Sequence, residues 1–290
     1  MESIMQLYFP NFKTKQGAIG VFDYFMASRD SPNDNIIFNS DLNLEDSSHL
    51  PGGTGPIEKH DIQNDEKLYS FLSYVIQNFN NHNAQVFQDL YVLWKLKNKE
   101  YGTFVEIGTG FPTGGNNTWM MESCLGWRGV LVEPNPFFFK EIEKNRSSAL
   151  EKFAIHNKSN IQMTLTIPDD FMPGGSIKED GELKVGAVIN KVQEIFVNTI
   201  AITDCLKKHQ IPVDFDYLSF DTTGNSNDIQ TIESMLQNQY FPKIITIGHN
   251  YKSHRQNLCS MLQSYGYVRE FDYISKWDDW YYYKSLEDNT

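Results

Sequence analysis

Cations are scarce in this sequence. Lys plus Arg number 25 against 37 Asp plus Glu, a formal net charge of −12 over 290 residues. A chain that grips a phosphate backbone presents a basic face, and few cations are spare to build one, so nucleic acid is not expected as a partner. Cysteine is scarcer still. Cys124, Cys205 and Cys259 are odd in number and far apart. They form no CxxC and no His/Cys ligand cluster, so neither a disulfide framework nor a metal site is expected. Each reads as a small buried hydrophobe, and a reducing, cytoplasmic setting fits. Long apolar runs are missing too. No stretch approaches the ~18 consecutive apolar residues of a membrane span. The opening Met-Glu-Ser-Ile-Met-Gln lacks the basic region and apolar run of a leader, so no membrane partner is expected.

What is present suits a packed core. Hydrophobic residues make up 40% of the chain and aromatics 14%, enough to exclude global disorder. Residues 1–83 read as an N-terminal extension and residues 84–290 as one domain. Within the extension, an aromatic opening leads through a polar stretch to Pro51-Gly-Gly-Thr-Gly-Pro56, which is loop chemistry. The aromatics of residues 1–62 need a surface to bury against, so this segment reads as a lid over an acceptor pocket or as part of a homodimer interface. Leu68, Phe71, Leu72, Val75, Ile76 and Phe79 follow helical spacing over 64–79. Asp65 and Glu66 sit where the helix dipole favours negative charge. A second helix is expected at about 85–97.

From residue 103 short apolar runs alternate with helical stretches. Strands are expected at 103–107, 129–132, 153–155, 217–220 and 244–247. Helices are expected at about 117–125, from Pro136 with Asn135 as cap, at about 227–238 and at about 254–264. The aromatic tail 267–283 suits a terminal hairpin, with Asp278 and Asp279 read as solvated. Repeated βα units with buried strands imply an α/β fold with a mainly parallel sheet covered on both faces. The segment 167–197 interrupts this rhythm and reads as an inserted hairpin or loop.

The stretch that carries chemistry is Phe104-Val-Glu-Ile-Gly-Thr-Gly110, an acidic, glycine-bearing turn directly after a buried strand. Glycines there let a ligand approach the backbone. The next strand ends at Glu133, and an acid at that place can accept hydrogen bonds from both hydroxyls of a ribose. A nucleoside-containing cofactor is therefore expected. The glycine spacing misses G-x-G-x-x-G, which disfavours a dinucleotide. Glu106 adds negative charge that opposes a pyrophosphate and suits the cationic sulfonium and amino group of S-adenosylmethionine.

Over residues 84–268, nearly two thirds of the chain, the sequence resembles the FkbM family of S-adenosylmethionine-dependent methyltransferases. The matching pieces are Ala84-Gln-Val-Phe-Gln-Asp-Leu90, Thr103-Phe-Val-Glu-Ile-Gly108 and Leu125-Gly-Trp-Arg-Gly129 with Val132-Glu-Pro-Asn-Pro136. Further along come Asn145-Arg146, Asp216-Tyr-Leu-Ser-Phe-Asp221, Ile245-Thr-Ile-Gly-His-Asn250 and Gly266-Tyr267. The resemblance implies a class I, Rossmann-like methyltransferase fold with a seven-stranded sheet containing one antiparallel strand. It also implies methyl transfer, commonly to an oxygen of a sugar or natural product, so the expected partner is a small-molecule, glycan or peptide acceptor. By the same resemblance Glu106, Gly108 and Gly110 line the methionine side, Glu133 and Asn135 form the ribose pocket, and Ile155 and His156 border the adenine. Gln88 and Asp89 fold back near the cofactor mouth. Asp221 faces the methyl-transfer region.

The departures fall on the acceptor side. Thr223 and Gly248 stand where the family places carboxylates, and the turn after Gly108 is altered to Thr109-Gly110-Phe111. No metal ligand set is expected. His249 has two readings, a general base beyond the fifth strand or a strand-end histidine making a structural hydrogen bond. A non-catalytic binding module on the same fold is the alternative from another class. A nicotinamide oxidoreductase is a weaker third, because the phosphate-binding spacing fails.

Overall fold

The structure, a computed structural model, describes residues 65–168, 176–178, 192–222 and 227–287. The proposed lid or dimer segment 1–62 and the tip of the 167–197 insertion lie outside them, as does Thr223. The chain divides into two compact units, residues 1–81 and 82–290. In the first, α1 spans Glu66–Asn78, and the Asp65 side chain caps it by accepting from Leu68 N at 2.9 Å. Its apolar stripe, Leu68, Phe71, Leu72 and Val75, is buried. Among the described residues no helix is long and apolar enough to cross a membrane.

The second unit opens with α2 (Gln88–Lys95), β1 (Thr103–Ile107), α3 (Trp119–Leu125), β2 (Arg128–Val132) and α4 (Pro136–Asn145). It continues through β3 (Ala149–Glu151), β4 (Ala154–His156), β5 (Gln162–Pro168), β6 (Ser176–Lys178), β7 (Val192–Ala201) and α5 (Ile202–Lys208). It closes with β8 (Tyr217–Phe220), α6 (Asn227–Gln237), β9 (Ile244–Gly248), α7 (Arg255–Ser264), β10 (Tyr267–Glu270) and β11 (Asp278–Tyr283).

Seven strands form the main sheet in the order β10-β11-β9-β8-β1-β2-β3. Only β11 runs against its neighbours β9 and β10, and the rest are parallel. This is the class I methyltransferase fold: a mainly parallel, Rossmann-like sheet with one reversed strand. The central strands read as near-continuous apolar runs because both faces are covered. Val105, Ile107, Leu218, Phe220, Ile245 and Ile247 share one core with Ile232, Met235 and Leu236 of α6 and Leu258 and Leu262 of α7. The chain order reverses at β1, with β2 on one side and β8 on the other. Open α/β sheets bind ligands at the carboxyl end of such a switch point.

Four expectations change. The strand expected at 153–155 is two short strands. Ala149–Glu151 joins β2 in the main sheet. Ala154–His156 instead pairs with β7 in a second sheet, ordered β4-β7-β5-β6. The insertion's hairpin starts earlier than expected, since β5 pairs antiparallel with β7 from Gln162 onward. The tail is the expected hairpin and Trp280, Tyr281 and Tyr282 are core, but Asp278 and Asp279 are buried, not solvated. Cys205 and Cys259 are buried as expected, whereas Cys124 is exposed.

Candidate active site

The glycine turn lies at the switch point. Gly108 follows β1 with φ +79°, a conformation that favours glycine. A Cβ there would stand 1.8 Å from the Asp221 carbonyl oxygen, so the turns after β1 and β8 touch backbone to backbone. Gly108 N and Thr109 N both donate to Val132 O, at 2.9 and 3.3 Å, and Asp221 N donates to Ile107 O at 2.9 Å. Three strand ends are thus stitched together, which brings Gly108, Glu133 and Asp221 to one place. Gly110, with φ +56°, has open space where its side chain would be.

Glu133 sits just beyond β2 at 5% exposure. Its Oε2 accepts from Gly110 N and its Oε1 from Asn135 N, each at 2.8 Å. Two backbone amides therefore fix the carboxylate, and each oxygen keeps a lone pair for a ligand donor. Burial pushes this carboxyl up to about 7, with the two amides pulling it down and the charges of Glu106 and Asp221 adding to the rise. Asn135 caps α4 as expected, accepting from Phe137 N at 3.0 Å through Oδ1. That leaves Asn135 Nδ2, buried, with no hydrogen-bond partner among the described residues, and Thr109 Oγ1 is in the same condition. Orphaned polar atoms in a native interior call for an explanation, and an absent ligand is one.

Glu106 is placed differently from the sequence expectation. Its carboxylate is buried, accepts from Asn116 Nδ2 at 3.0 Å, and lies 3.5 Å from Arg146 Nη1. Burial raises its proton affinity above the ordinary carboxylate range, and Arg146 and Asn116 partly offset this. Arg146 also binds Glu122 at 2.7 Å and Thr118 Oγ1 at 2.7 Å. The Asn116 amide in turn donates to Thr109 O and Phe111 O, both at 3.2 Å, and so holds the glycine turn. Arg146, shared with Glu122, partly offsets the charge of Glu106 beneath the turn, and Glu106 acts as a buttress. The electrostatic argument for a cationic cofactor passes from Glu106 to Glu133 and Asp221. Sequence reasoning gave Arg146 and Asn116 no role here, because nothing local marks two residues that meet Glu106 only through the fold.

Gln88 and Asp89 open α2. Asp89 Oδ2 accepts from Asn83 N at 2.6 Å and Ala84 N at 3.1 Å, while Oδ1 accepts from Leu90 N. This holds a short segment against the loop after the turn: Ala84 bridges to Gly115, and Asn83 Nδ2 donates to Thr113 O and Asn116 O. Gln88 reaches the other way, to Asp278 at the start of β11. Ile155 and His156 lie in β4, buried, with His156 Nδ1 accepting from Lys158 N at 3.0 Å. They pair in the second sheet and not in the main one, although Ile155 shares the main core with Val130 and Val132.

His249 is fully buried. Its Nδ1 accepts from Tyr251 N at 2.9 Å, so the proton of the neutral ring is on Nε2, which lies 3.8 Å from Asp279 Oδ1. Burial pushes the imidazole down to about 4. Asp279 is itself committed to Arg255 at 2.6 Å and Arg269 at 3.6 Å. A ring sealed in this way suits the structural reading of His249 better than the base. Asp221, by contrast, is exposed.

No protein-family model matches the chain, and no curated protein sequence does. Solved structures do match. Precorrin-6y C5,15-methyltransferase from Geobacter metallireducens GS-15 is 13% identical, with a TM-score of 0.36 over 62% of this chain and 71% of that one. The METTL16 MTase domain is 11% identical, with a TM-score of 0.38 over 67% of this chain and 65% of that one. A candidate rRNA methylase from Clostridium thermocellum is 14% identical, with a TM-score of 0.38 over 69% of this chain and 96% of that one. At TM-scores this low the strand order, not the likeness, carries the fold assignment.

Proposed function

We propose that the chain is an S-adenosylmethionine-dependent methyltransferase of the FkbM kind, acting on an oxygen of a small molecule, natural product, glycan or modified peptide. The observation that carries this reading is the amide-held Glu133 beside the open turn at Gly110, at the switch point of the sheet. S-adenosylmethionine fits those residues. The spare lone pairs of Glu133 would accept hydrogen bonds from the two ribose hydroxyls. The orphaned Asn135 Nδ2 and Thr109 Oγ1 offer further polar contacts. Gly108 and Gly110 let the ligand approach the backbone, with Glu106, Asn116 and Arg146 fixing the turn from below. Gln88 and Asp89 fix the segment folded against it. When bound, the cofactor supplies an electrophilic methyl group.

Asp221 is the residue assigned to the acceptor. It is exposed at the end of β8, one backbone contact from Gly108. In-line methyl transfer gains much from alignment alone, so the sealed state of His249 does not prevent it. Exposed Asp221 puts negative charge at this edge of the sheet, which disfavours a polyanionic acceptor such as RNA. The burial of His249 favours one second reading, a non-catalytic binding module on the same fold. Thermal shift tests the first step. S-adenosylhomocysteine should raise the melting temperature and NAD should not; stabilisation by NAD alone contradicts the cofactor assignment. Methyl incorporation into a panel of hydroxyl-bearing acceptors then separates enzyme from binding module.

A further inference from the structure

Asp278 opens β11 and is buried, at 4% exposure. Its Cα pairs in register with Gly248 of β9. A Cβ added to Gly248 would stand 2.7 Å from Asp221 Oδ1 and 3.5 Å from Asp278 Oδ1. Oxygens of two carboxylates, one following β8 and one opening β11, thus converge on one point, and a residue without a side chain leaves them room. Gly248 is therefore more than the loss of an acidic side chain, because the space it vacates is lined by two others.

A third element holds the arrangement. Gln88 of α2 accepts from Val86 N at 2.9 Å through Oε1, which turns its amide nitrogen toward Asp278 Oδ2, at 2.5 Å. Among the described residues, Arg255 and Arg269 bind Asp279. Burial, the charge of Asp221 and the charge of Asp279 all raise the Asp278 carboxyl well above the ordinary carboxylate range, and the Gln88 amide pulls it back only in part. His249, at the end of β9, is neutral near pH 7 and adds no compensating charge. Two carboxylates that line one space repel each other when both are ionised, and a proton held by one relieves that cost.

We propose that Asp221 and Asp278 form one proton-sharing carboxylate pair, in which Asp278 is a positioning residue that holds the proton and leaves Asp221 ionised toward the methyl acceptor. The asymmetry of the site assigns the roles: Asp278 is buried and amide-held, Asp221 is exposed. The chemical role rests on the methyltransferase reading. In it, an acceptor O–H bond breaks, its proton bonds to an Asp221 oxygen, and the electron pair stays on the acceptor oxygen as the attacking pair. The pair is then doubly protonated and returns one proton to solvent.

Carbon-13 NMR of the full chain, labelled at the aspartate carboxyls and titrated from about pH 4 to about pH 9, tests the pair directly. The wild type should show Asp221 and Asp278 titrating in two linked steps. Asp278→Asn should collapse them into one ordinary step at Asp221, displaced by about one pH unit or more. Gly248→Ala keeps both carboxylates but sets a methyl group 2.7 Å from Asp221 Oδ1. It should uncouple the two steps, which keeps the proposal testable where Asp278→Asn does not fold. Independent steps in the wild type, or an Asp278 carboxyl already ionised at about pH 6, overturn it. An Asp221 step unmoved in a folded variant overturns it as well. S-adenosylhomocysteine binding, measured on the same samples, reports separately on the methyltransferase reading: a wild type that shows the linked steps but binds no S-adenosylhomocysteine keeps the pair and loses the reading.

Discussion

The two halves of the site treat buried acid differently. On the cofactor side, Glu106 is answered by Arg146 and Asn116, and Glu133 by two backbone amides. On the acceptor side, Asp278 has one neutral amide from Gln88 and another carboxylate for company. The first half is built to hold a shape in the absence of ligand. Burial raises a carboxyl in each half, but two backbone amides oppose the rise at Glu133 and a single side-chain amide opposes it at Asp278. That difference follows what each half has to do, since a cofactor pocket must be pre-formed, whereas a proton-accepting group needs its affinity raised toward neutrality.

The comparison breaks most sharply at Arg146. Arg146→Ala leaves Glu106 and Glu122 without their cation, and it should cost about 3–5 kcal/mol of stability in urea unfolding. Adding Glu106→Gln to that variant should recover part of the loss. A cost under about 1 kcal/mol would show that the buttress is not carried by this ion pair.

A pH series sharpens the contrast at Glu133. Its carboxyl is raised to about 7 in the folded chain from an ordinary 4.5. The folded state therefore holds a proton that the unfolded state releases across that window. Stability from this group is fully present below about pH 4.5 and is lost as pH rises through about 7. Glu133→Gln should gain stability over wild type by about 2–3 kcal/mol as pH climbs through the same window. His249 works in the opposite sense. Its folded value of about 4 lies below the ordinary 6.5, so its contribution is present above pH 6.5 and lost as pH falls toward 4. A difference between Glu133→Gln and wild type that is flat with pH would contradict the burial argument.

The smallest effect belongs to the acceptor side. Asp278→Asn removes the proton-dependent charge and keeps the shape, and Asn can still bond Gln88 through its amide. Its stability near pH 8 should match or exceed the wild type by about 1 kcal/mol or less in thermal unfolding. A large loss would mean that Asp278 is a structural anchor.

Much of the fold was legible because the central strands are buried on both faces. Val105 and Ile107, Val130 to Val132, Leu218 and Phe220, and Ile245 and Ile247 are runs that few other structures accommodate. The start of α4 was legible from Asn135-Pro136, a cap followed by a residue that needs no amide partner. The split between β3 and β4 was not, because apolar Phe153 to Ile155 reads the same whichever sheet it joins. The site was legible where chemistry is local, as in the glycine turn and Glu133. It was hidden where partners are distant in sequence. Arg146 meets Glu106 across a strand and two helices. Asp278 and Asp279 look like a solvated acidic pair until β11 inserts beside β9 and turns one toward Gly248 and the other toward Arg255. Gly248, read as a missing carboxylate, is the space that Asp221 and Asp278 line.

Calorimetric titration of S-adenosylhomocysteine into the wild type and into Glu133→Ala tests the central claim most directly. Two ribose hydrogen bonds to a carboxylate are worth enough that the substitution should weaken binding by about ten- to a hundredfold. Saturable binding to the wild type with that loss in Glu133→Ala is the predicted result. No binding to the wild type, or equal affinity in the two proteins, would contradict it.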